Sequence, residues 1–555
     1  LNNVNNISYS CANLPWSNVN MTNLFNHSPD KVIYYVNTII EGFYNTSGFS
    51  PSACAGSITE LTCNRENPWK NTPWYNKLNA PIRGVNIGGS FVLERWITPD
   101  FFDFEGNTDI IDQYTFSLYC FKYNKCLNIY DHWESFYNQN DFYNIKNSGI
   151  NTVRLPVGFW YFSEISNVSS IYLIPRESIY DINHPITKYI SYANNANLYV
   201  ILDLHGAPGS QNGFDNSGKT TKDPQPDNWG QHWIYDDYNV NGTINTNIAI
   251  IKYIQYLQSE FNIDNILMIE LLNEPWLGID ISLIKKYYVD SITEIRKLSN
   301  IPILFHDSFR GALWNTLLKD WPFVDVYIDT HTYYCFGTAN VASNTLYQDQ
   351  VKMYVHEVES CASSNFLHYD TCSSLPIVVG EWSMAIDDCM PYLNARFQNI
   401  GQCNRMNDRL NNIYWKQRYK SFAYKQMNIY EKELGWIFWT WKLSNYAETN
   451  ELPSAYYWSL SLAINNGYID IFDRYSINNA CNYDPDYPEL SIIKDSNEDS
   501  IFYLYIFGFL FFISFAIISY NITKCCIKYY RNNKIRTMLN DEYNKIHNKL
   551  YNYKY

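Results

Sequence analysis

Two glutamates, more than a hundred residues apart, each follow a short apolar stretch. Residues 266–269 lead to Asn273-Glu274-Pro275, and residues 377–379 lead to Gly380-Glu381. A short apolar run closed by a breaker is typical of a buried parallel strand. Asn273-Glu274 alone could equally be a turn with a helix-capping Asn, but the second occurrence favours a functional pair. Glycoside hydrolysis needs two such carboxylates, one to protonate the leaving group and one to attack.

The elements that must position these glutamates follow from the rest of the pattern. Eight short apolar runs alternate with longer amphipathic stretches, at residues 82–87, 152–155, 199–204, 266–272, 302–305, 326–328, 377–379 and 435–439. Strands separated by helical lengths imply parallel βαβ units, and eight of them predict an α/β fold closed as a (β/α)8 TIM barrel. Each run ends on a residue suited to chemistry: Asn86, Arg154, His205, Asn273-Glu274, His306-Asp307, His331, Glu381 and Trp439. Since the carboxyl ends of barrel strands share one face, we expect these residues to form one site.

The N-terminal part and the composition indicate a secreted domain. Eleven of the 13 Cys precede residue 500, which fits disulfides in an oxidising compartment, although an odd number leaves one thiol over. Aromatic residues make up 17% of the chain, which suits sugar platforms but also follows from biased codon usage. Residues 1–75 are predicted to be an irregular, Cys- and Asn-rich extension, and residues 76–490 a hydrolase domain. Glycosylation motifs occur at Asn6, Asn20, Asn26, Asn45, Asn167 and Asn241.

The C-terminal region predicts a membrane anchor. Residues 501–520 are apolar or aromatic without any charge, long enough for a transmembrane helix, and an acidic stalk at 491–500 precedes them. The tail, 521–555, has eight Lys/Arg against two acids, so the positive-inside rule puts it in the cytoplasm and the hydrolase domain outside the cell or in a lumen. Residues 1–520 carry 33 Lys/Arg against 53 acids, which argues against nucleic acid as a partner.

Six segments match a known sequence pattern in order. They are residues 83–89, 92–94, 203–218, 269–275, 379–383 and 435–442, and the most specific block is His205-Gly-Ala-Pro-Gly-Ser-Gln-Asn212. Over roughly residues 80–470 the chain thereby resembles fungal-type exo-β-1,3-glucanases of glycoside hydrolase family 5 (cellulase family A). It departs from the family's pattern at Ser90, at Thr332 and in the stretch 446–458, which leaves the pocket rim and the preferred linkage less well defined.

The resemblance implies a role for each candidate residue. Glu274 would be the general acid/base and Glu381 the nucleophile, with carboxyl groups about 5–5.5 Å apart as retention requires. Around the first sugar the resemblance implies His205, His331 and Tyr333, with Trp439 beneath the ring and Asn273 at its 2-hydroxyl. Glu94 would lie at the pocket floor, and Phe214 and Phe336 at the entrance. The remaining substrate-binding residues are Arg154, beside the nucleophile, and Asp215, in the segment of Phe214. Isolated His and aromatic residues are more often structural, so these roles depend on the whole constellation. The resemblance also implies a Cys361–Cys481 disulfide and, more loosely, one between Cys389 and Cys403.

The chemistry sets a condition on protonation. Glu274 must hold a proton near the working pH while Glu381 stays ionised, and Arg154 is the natural cation to keep it so. No metal or other cofactor is predicted, because His205, His331 and Glu381 lie in separate segments without a His-X-X-X-His or Cys-X-X-Cys spacing.

The predicted function is therefore a retaining glycoside hydrolase that releases glucose from the ends of β-glucan polysaccharides or oligosaccharides by double displacement. Two alternatives stay open. The same site could transfer glucan chains and remodel a wall, because a sugar hydroxyl can intercept the glycosyl-enzyme. The chain could also be a glucan-binding surface protein without activity, an alternative that the presence of both glutamates disfavours.

Overall fold

A closed barrel of eight parallel strands organises the chain. The computed structural model describes residues 68–481, apart from 103–108, 125–128, 222–227, 319–320, 337–348, most of 350–374, 394–402, 404–405, 411 and 446–453. The strands are β1 (Ile82–Asn86), β2 (Thr152–Gly158), β3 (Tyr199–Gly206), β4 (Ile266–Glu270), β5 (Ile303–His306), β6 (Val326–Thr332), β7 (Ile377–Trp382) and β8 (Gly435–Phe438). They pair in sequence order, and β8 pairs back to β1. The predicted TIM barrel is confirmed.

Every strand lies where an apolar run predicted it, but several ends differ. β6 continues to Thr332 and β7 to Trp382, so His331 and Glu381 lie within paired strands rather than beyond them. β4 instead ends at Glu270, four residues before Glu274. Polar residues interrupt an apolar pattern without ending a strand when their side chains find partners inside the barrel, as they do here.

Helices connect the strands and cover the barrel. Those of six or more residues are Gln113–Tyr123, Ile129–Ser135, Gln139–Asn147, Pro185–Asn195, Asp237–Phe261, Ile281–Arg296, Gly311–Leu317, Ile413–Tyr430, Leu460–Asn465 and Arg474–Asn479, and shorter ones are Tyr75–Leu78, Ser163–Ser166, Gln231–Ile234, Met406–Leu410 and Ala455–Trp458. Side chains that accept a backbone N–H of the first turn begin several of them, for example Asp112, Asp236, Asp280 and Asn412. These caps place the helix starts just after the loops at the carboxyl ends of the strands.

Two apolar layers leave one end of the barrel polar. A small cluster joins residues from opposite sides of the barrel, among them Ile82, Ile201, Leu304 and Ile437, so it must fill the barrel interior. A much larger cluster lies between the strands and the helices. Most members of the interior cluster lie near the beginning of their strands, so the inward positions nearer the carboxyl ends can carry polar side chains.

Two disulfides join cysteines among the described residues. Cys361 pairs with Cys481 and Cys389 with Cys403, with Cα–Cα distances of 5.4 Å and 5.3 Å, so both predicted pairings are confirmed. Within the described ranges, no helix is long and apolar enough to cross a membrane. The predicted extension before residue 68, stalk, transmembrane helix and basic tail lie outside the described residues.

Candidate active site

Arg154, on β2, is the centre of a buried polar network inside the barrel. Its guanidinium contacts carboxylates from three other strands: Asp203 on β3 at 3.1 Å, Glu270 on β4 at 2.7 Å and Glu381 on β7 at 2.9 Å. It also donates to Asn273 Oδ1 at 2.8 Å. Burial alone would lower the pKa of Arg154, but the charges of Asp203 and Glu270 outweigh it and raise this pKa well above its ordinary value. Arg154 is therefore a permanent cation whose planar donors hold the strands at fixed positions.

The two candidate catalytic glutamates meet at one imidazole nitrogen. His331 Nδ1 lies 2.6 Å from Glu274 Oε1 and 3.4 Å from Glu381 Oε2, so these two oxygens are at most about 6.0 Å apart. Tyr333 donates its hydroxyl hydrogen to Glu381 Oε2 at 2.8 Å. Asn216 donates to Glu274 Oε2 at 2.9 Å. Each carboxylate is thus held by separate donors while both face the same point.

Burial and neighbouring charges shift the pKa values of His331 and of both glutamates. Burial alone would lower the pKa of His331, but the charges of Glu381 and Asp329 and its hydrogen bonds raise it well above its usual value. Burial alone would raise the pKa of Glu274, but the hydrogen bond and charge of His331 lower it. Burial raises the pKa of Glu381, although the charge of His331 acts against the rise. The expectation that Glu274 holds the proton stays a prediction; the raised pKa of His331 and the lowered pKa of Glu274 favour a proton on the imidazole, which lies between the two glutamates.

The segment after β3 fixes the backbone just before Glu274. The side chain of Gln211 donates to the carbonyl oxygens of His205 at 2.7 Å and Asn273 at 2.9 Å, and it accepts from Ala207 N–H at 3.0 Å. Glu274 itself has a φ of 45°, in the left-handed region that non-glycine residues seldom occupy. Such backbone persists only where its surroundings hold it, and it concentrates at functional sites. Gln211 belongs to a motif identified in the sequence, but no role was predicted for it.

Glu94 and Asp215 form an acidic floor beside the glutamate pair. Both are buried, and Trp96 Nε1 donates to Glu94 Oε2 at 2.9 Å. Burial raises the pKa of Glu94 well above its usual range, and the charges of Asp215, Glu381 and Glu274 raise it further. Among the described residues, Glu94 Oε1 has no hydrogen-bond partner. A neutral carboxyl with a spare oxygen can both donate to and accept from a sugar hydroxyl.

Aromatic side chains surround this polar centre. Trp439 stacks on the imidazole of His205, with ring centroids 5.5 Å apart and planes 11° from parallel. Phe336 contacts the ring of Tyr333 at 5.4 Å, and Trp458, from the stretch that departs from the family pattern, packs on Tyr333 at 5.5 Å. The predicted Trp439, Tyr333 and Phe336 therefore lie around the same centre as the glutamates.

The other predicted entrance aromatic, Phe214, belongs to a separate group. Its ring contacts Trp229 at 5.0 Å and Trp276 at 5.3 Å, and these two tryptophans contact each other at 4.8 Å. We call these three residues the lip cluster. Trp276 follows Glu274 by two residues, and Phe214 precedes Asn216 by two, so the cluster lies on the side of the predicted acid. Within the part of the chain that the structure describes, no ring contact joins Phe214 to Phe336.

Sequence reasoning missed several polar residues that hold the candidates in place. One of them is Asp203, which contacts His205 Nδ1 at 2.6 Å, whereas Asn86, expected at the site from its strand end, accepts from Arg154 at 3.0 Å and donates to the Gly380 carbonyl at 3.0 Å. The others are Gln211, Asn216, Glu270 and Asp329. A signal existed for three of them, because Asp203, Glu270 and Asp329 are charged residues inside otherwise apolar strands. A buried charge requires a partner, so each implied another polar residue across the barrel.

Two groups of side chains bring possible metal donors within 4.8 Å of one another: Glu274 with His306 and His331, and Glu270 with Asp329 and His331. His331 belongs to both groups, and its raised pKa favours the protonated ring. His306 Nδ1 accepts from Ser308 N–H at 3.0 Å, so its other nitrogen holds a proton. A metal would have to displace these protons, and the expectation that the site uses no metal stays a prediction.

Comparisons with known proteins agree with this geometry. Residues 112–444 match the cellulase family, glycosyl hydrolase family 5. The chain belongs to this family and is a glycoside hydrolase, so the resemblance drawn from the sequence is confirmed. A glucan 1,3-beta-glucosidase of Blumeria graminis is 33% identical over 394 residues, which cover 67% of this chain and 84% of that protein. Glucan 1,3-beta-glucosidase 2 of Wickerhamomyces anomalus is 31% identical over 421 residues, which cover 70% of this chain and 90% of that protein.

Solved structures show the same fold at greater distance. A rutinosidase from Aspergillus niger superposes with a TM-score of 0.52 at 19% identity, over 70% of this chain and 98% of that one. At this identity the similarity concerns the barrel architecture alone.

Proposed function

We propose that the chain is a retaining exo-β-1,3-glucanase in which Glu274 is the general acid/base and Glu381 the nucleophile. The observation that carries the proposal is the contact of both carboxylates with His331 Nδ1, which limits their facing oxygens to about 6.0 Å. This limit fits the about 5–5.5 Å of retaining enzymes and lies below the roughly 6.5–9.5 Å that leaves room for water in inverting ones. The names of the fungal relatives support β-1,3-glucan as the substrate.

The proposed first step is an attack by Glu381 on the anomeric carbon while Glu274 protonates the leaving oxygen. His331 Nδ1, 2.6 Å from Glu274 Oε1, supplies the proton that Glu274 passes on. Arg154 holds Glu381 by Oε1 and Tyr333 holds it by Oε2, so the attacking carboxylate cannot turn away. In the second step Glu274 takes a proton from water, and that water releases the sugar from Glu381.

The surrounding residues would bind the first sugar. Trp439 offers a flat apolar face beneath the ring, and Asn273 lies beside Arg154 where it can reach the 2-hydroxyl. The buried residues Glu94 and Asp215 would close the site on one side, an arrangement suited to removal of a terminal sugar. His205 aligns Trp439 by stacking on it.

The direct test is glucose release from laminarin, with the anomeric configuration of the first product followed by NMR. Glu381→Gln should abolish turnover and leave laminarin binding in place. Glu431→Gln is the matched control, because Glu431 is also mostly buried and pairs with Arg83 at 3.1 Å, away from the catalytic pair. Failure of the wild-type chain on every β-glucan and aryl β-glucoside, or full activity of Glu381→Gln, would refute the proposal.

A second candidate, glucan transfer by the same site, is favoured by the lip cluster. Aromatic faces stack on sugar rings, and this cluster lies on the side of Glu274, where the leaving group departs and an acceptor must enter. Trp276→Ala should lower the proportion of longer products at high laminarin concentration more than it lowers glucose release at low concentration. Equal losses would argue against an acceptor role for Trp276.

We also propose that residues 501–520 anchor the chain in a membrane, with the hydrolase domain outside the cell or in a lumen. The uncharged apolar run and the basic tail support the anchor. The disulfides support an oxidising compartment. In fractionated cells the full chain should pellet with membranes and withstand carbonate extraction, whereas deletion of 501–555 should release an active protein. Equal fractionation of both forms would contradict the anchor.

A further inference from the structure

Strand β7 contains one residue more than its neighbours. Against β6, Thr330 pairs with Val379. The next residue of β6, His331, pairs with Glu381, so Gly380 is left out of the register. The pairing with β8 also shows one extra residue in β7. Val379 pairs with Trp436 and Trp382 with Phe438, so an advance of three residues along β7 matches an advance of two along β8. Gly380 is therefore a β-bulge, a feature that redirects side chains and is common beside active sites.

This bulge decides which way Glu381 points. Side chains along a regular strand alternate between two faces, and a shift by one residue reverses them. Val378 belongs to the cluster inside the barrel, whereas Val379 and Trp382 belong to the core outside it. Strict alternation from Val378 would turn Glu381 outward, toward the helices. The extra residue at Gly380 turns Glu381 inward and returns Trp382 to the outer core.

The carboxylate of Asp329, on β6, occupies the space beside this bulge. Gly380 N–H donates to Asp329 Oδ1 at 2.7 Å. A Cβ added to Gly380 would lie 2.2 Å from both Asp329 oxygens, so only glycine fits here. Asp329 is fully buried, and its hydrogen bond satisfies the backbone group that the strand register leaves out.

The other oxygen of Asp329 reaches the catalytic imidazole. Asp329 Oδ2 lies 3.3 Å from His331 Nε2, and the opposite nitrogen of the same ring contacts Glu274. Charged or titratable groups from other elements also face Asp329: Arg154 on β2 at 3.9 Å, Glu270 on β4 through a hydrogen bond, Asp307 after β5, and Tyr288. Asp329 thus contacts the backbone of Gly380, the residue before the proposed nucleophile, and also His331, which contacts the proposed acid.

We propose that Asp329 is a positioning residue that sets both catalytic glutamates: it holds the bulge at Gly380 that turns Glu381 into the barrel, and it orients His331 toward Glu274. This inference rests on the proposed catalytic roles of Glu274 and Glu381. The bulge and Asp329 give Glu381 an orientation that regular strand pairing would not give it, and neither is needed to form the barrel.

The first experiment measures the pH profile of kcat/KM for Asp329→Asn in the full chain, with a laminarin oligosaccharide as substrate. The amide keeps the hydrogen bond from Gly380 N–H but removes the negative charge beside His331. Because that charge stabilises the protonated imidazole, its loss should lower the pKa of His331. The alkaline limb should therefore move to lower pH, and kcat should fall by about 10²-fold, the cost of a catalytic group displaced by about 1 Å. Asp112→Asn is the control, because Asp112 is another buried carboxylate that accepts a backbone N–H, from Thr115 at 2.7 Å. Its profile should keep the wild-type shape, and the proposal falls if both variants behave alike.

The second experiment is a double-mutant cycle with Gly380→Ala and Asp329→Ala, read by urea unfolding. The added methyl group meets the carboxylate only when Asp329 is present, so Gly380→Ala should lower the urea midpoint much less in the Asp329→Ala background. Additive effects would overturn the proposed contact. If Asp329→Ala does not fold, Asp329→Ser takes its place in the same cycle. Because this measurement needs no turnover, it distinguishes failure of the Asp329 inference from failure of the proposed hydrolase function.

Discussion

Tyr333→Phe removes a single hydrogen bond from the proposed nucleophile and keeps the ring that packs on Phe336 and Trp458. The lost bond joins the phenol to Glu381 Oε2 at 2.8 Å in a buried site. A hydrogen bond to a charged group contributes about 1.5–3 kcal/mol. Since about 1.36 kcal/mol corresponds to one pKa unit, the pKa of Glu381 should rise by about one to two units.

The direction of the pKa shift follows from the form of Glu381 that the hydrogen bond of Tyr333 stabilises. Tyr333 donates to the ionised carboxylate, so its loss favours the protonated form, which cannot attack. Burial already raises the pKa of Glu381, and the variant should add to this rise. The acid limb of kcat/KM against pH should therefore move to higher pH. At pH values above this limb, kcat/KM should fall much less than it does within the limb.

The assay is glucose release from a laminarin oligosaccharide across the pH range, with circular dichroism to confirm folding. Tyr287→Phe is the matched control, because Tyr287 is a buried tyrosine that donates to the Leu271 carbonyl at 2.8 Å and touches neither glutamate. Its acid limb should coincide with the wild type. An unchanged limb in Tyr333→Phe would show that this bond does not set the charge of Glu381.

Other perturbations address separate parts of the site and fold. Asn216→Ala removes a donor that lowers the pKa of Glu274, so the alkaline limb of kcat/KM should move to higher pH, and a shift to lower pH would contradict the assigned bond. Loss of the Cys361–Cys481 disulfide, which links residues 120 apart, should lower Tm more than loss of the other disulfide, which links residues 14 apart, because loop closure contributes about 4.7 kcal/mol near 100 residues and about 3 kcal/mol near 15. Dialysis against EDTA should leave laminarin hydrolysis unchanged, and recovery of a lost rate by added zinc would show that a metal takes part.

The sequence was sufficient for the barrel and for most of the site because both have local signals. Apolar runs separated by helical lengths predict the strands, and the residues at their ends converge for a topological reason. The sequence thus predicts that four residues lie close together: Glu274, Glu381, Arg154 and His331. Their agreement with one family's motifs then supplied the roles.

What the sequence did not predict depends on contacts across the barrel. The pKa shifts of Glu274, Glu381 and His331 could not be foreseen, because they depend on His331 lying between two carboxylates. The roles of Glu270 and Asp329 need a register that apolar runs do not define. The bulge at Gly380 changes the face of Glu381, yet a Gly-Glu pair at a strand end is also compatible with a regular strand. Residues before 68 and after 481 keep their predicted roles untested.

The contacts of Arg154 make activity a late property of folding. Its partners lie on β1, β3, β4, β6 and β7, so they extend along the chain from Asn86 to Glu381. A nascent chain whose seventh strand has not yet emerged from the ribosome has no nucleophile in place, and one whose barrel is open has no cation beside it. The candidate site is therefore complete only once the seventh strand has joined the closed barrel.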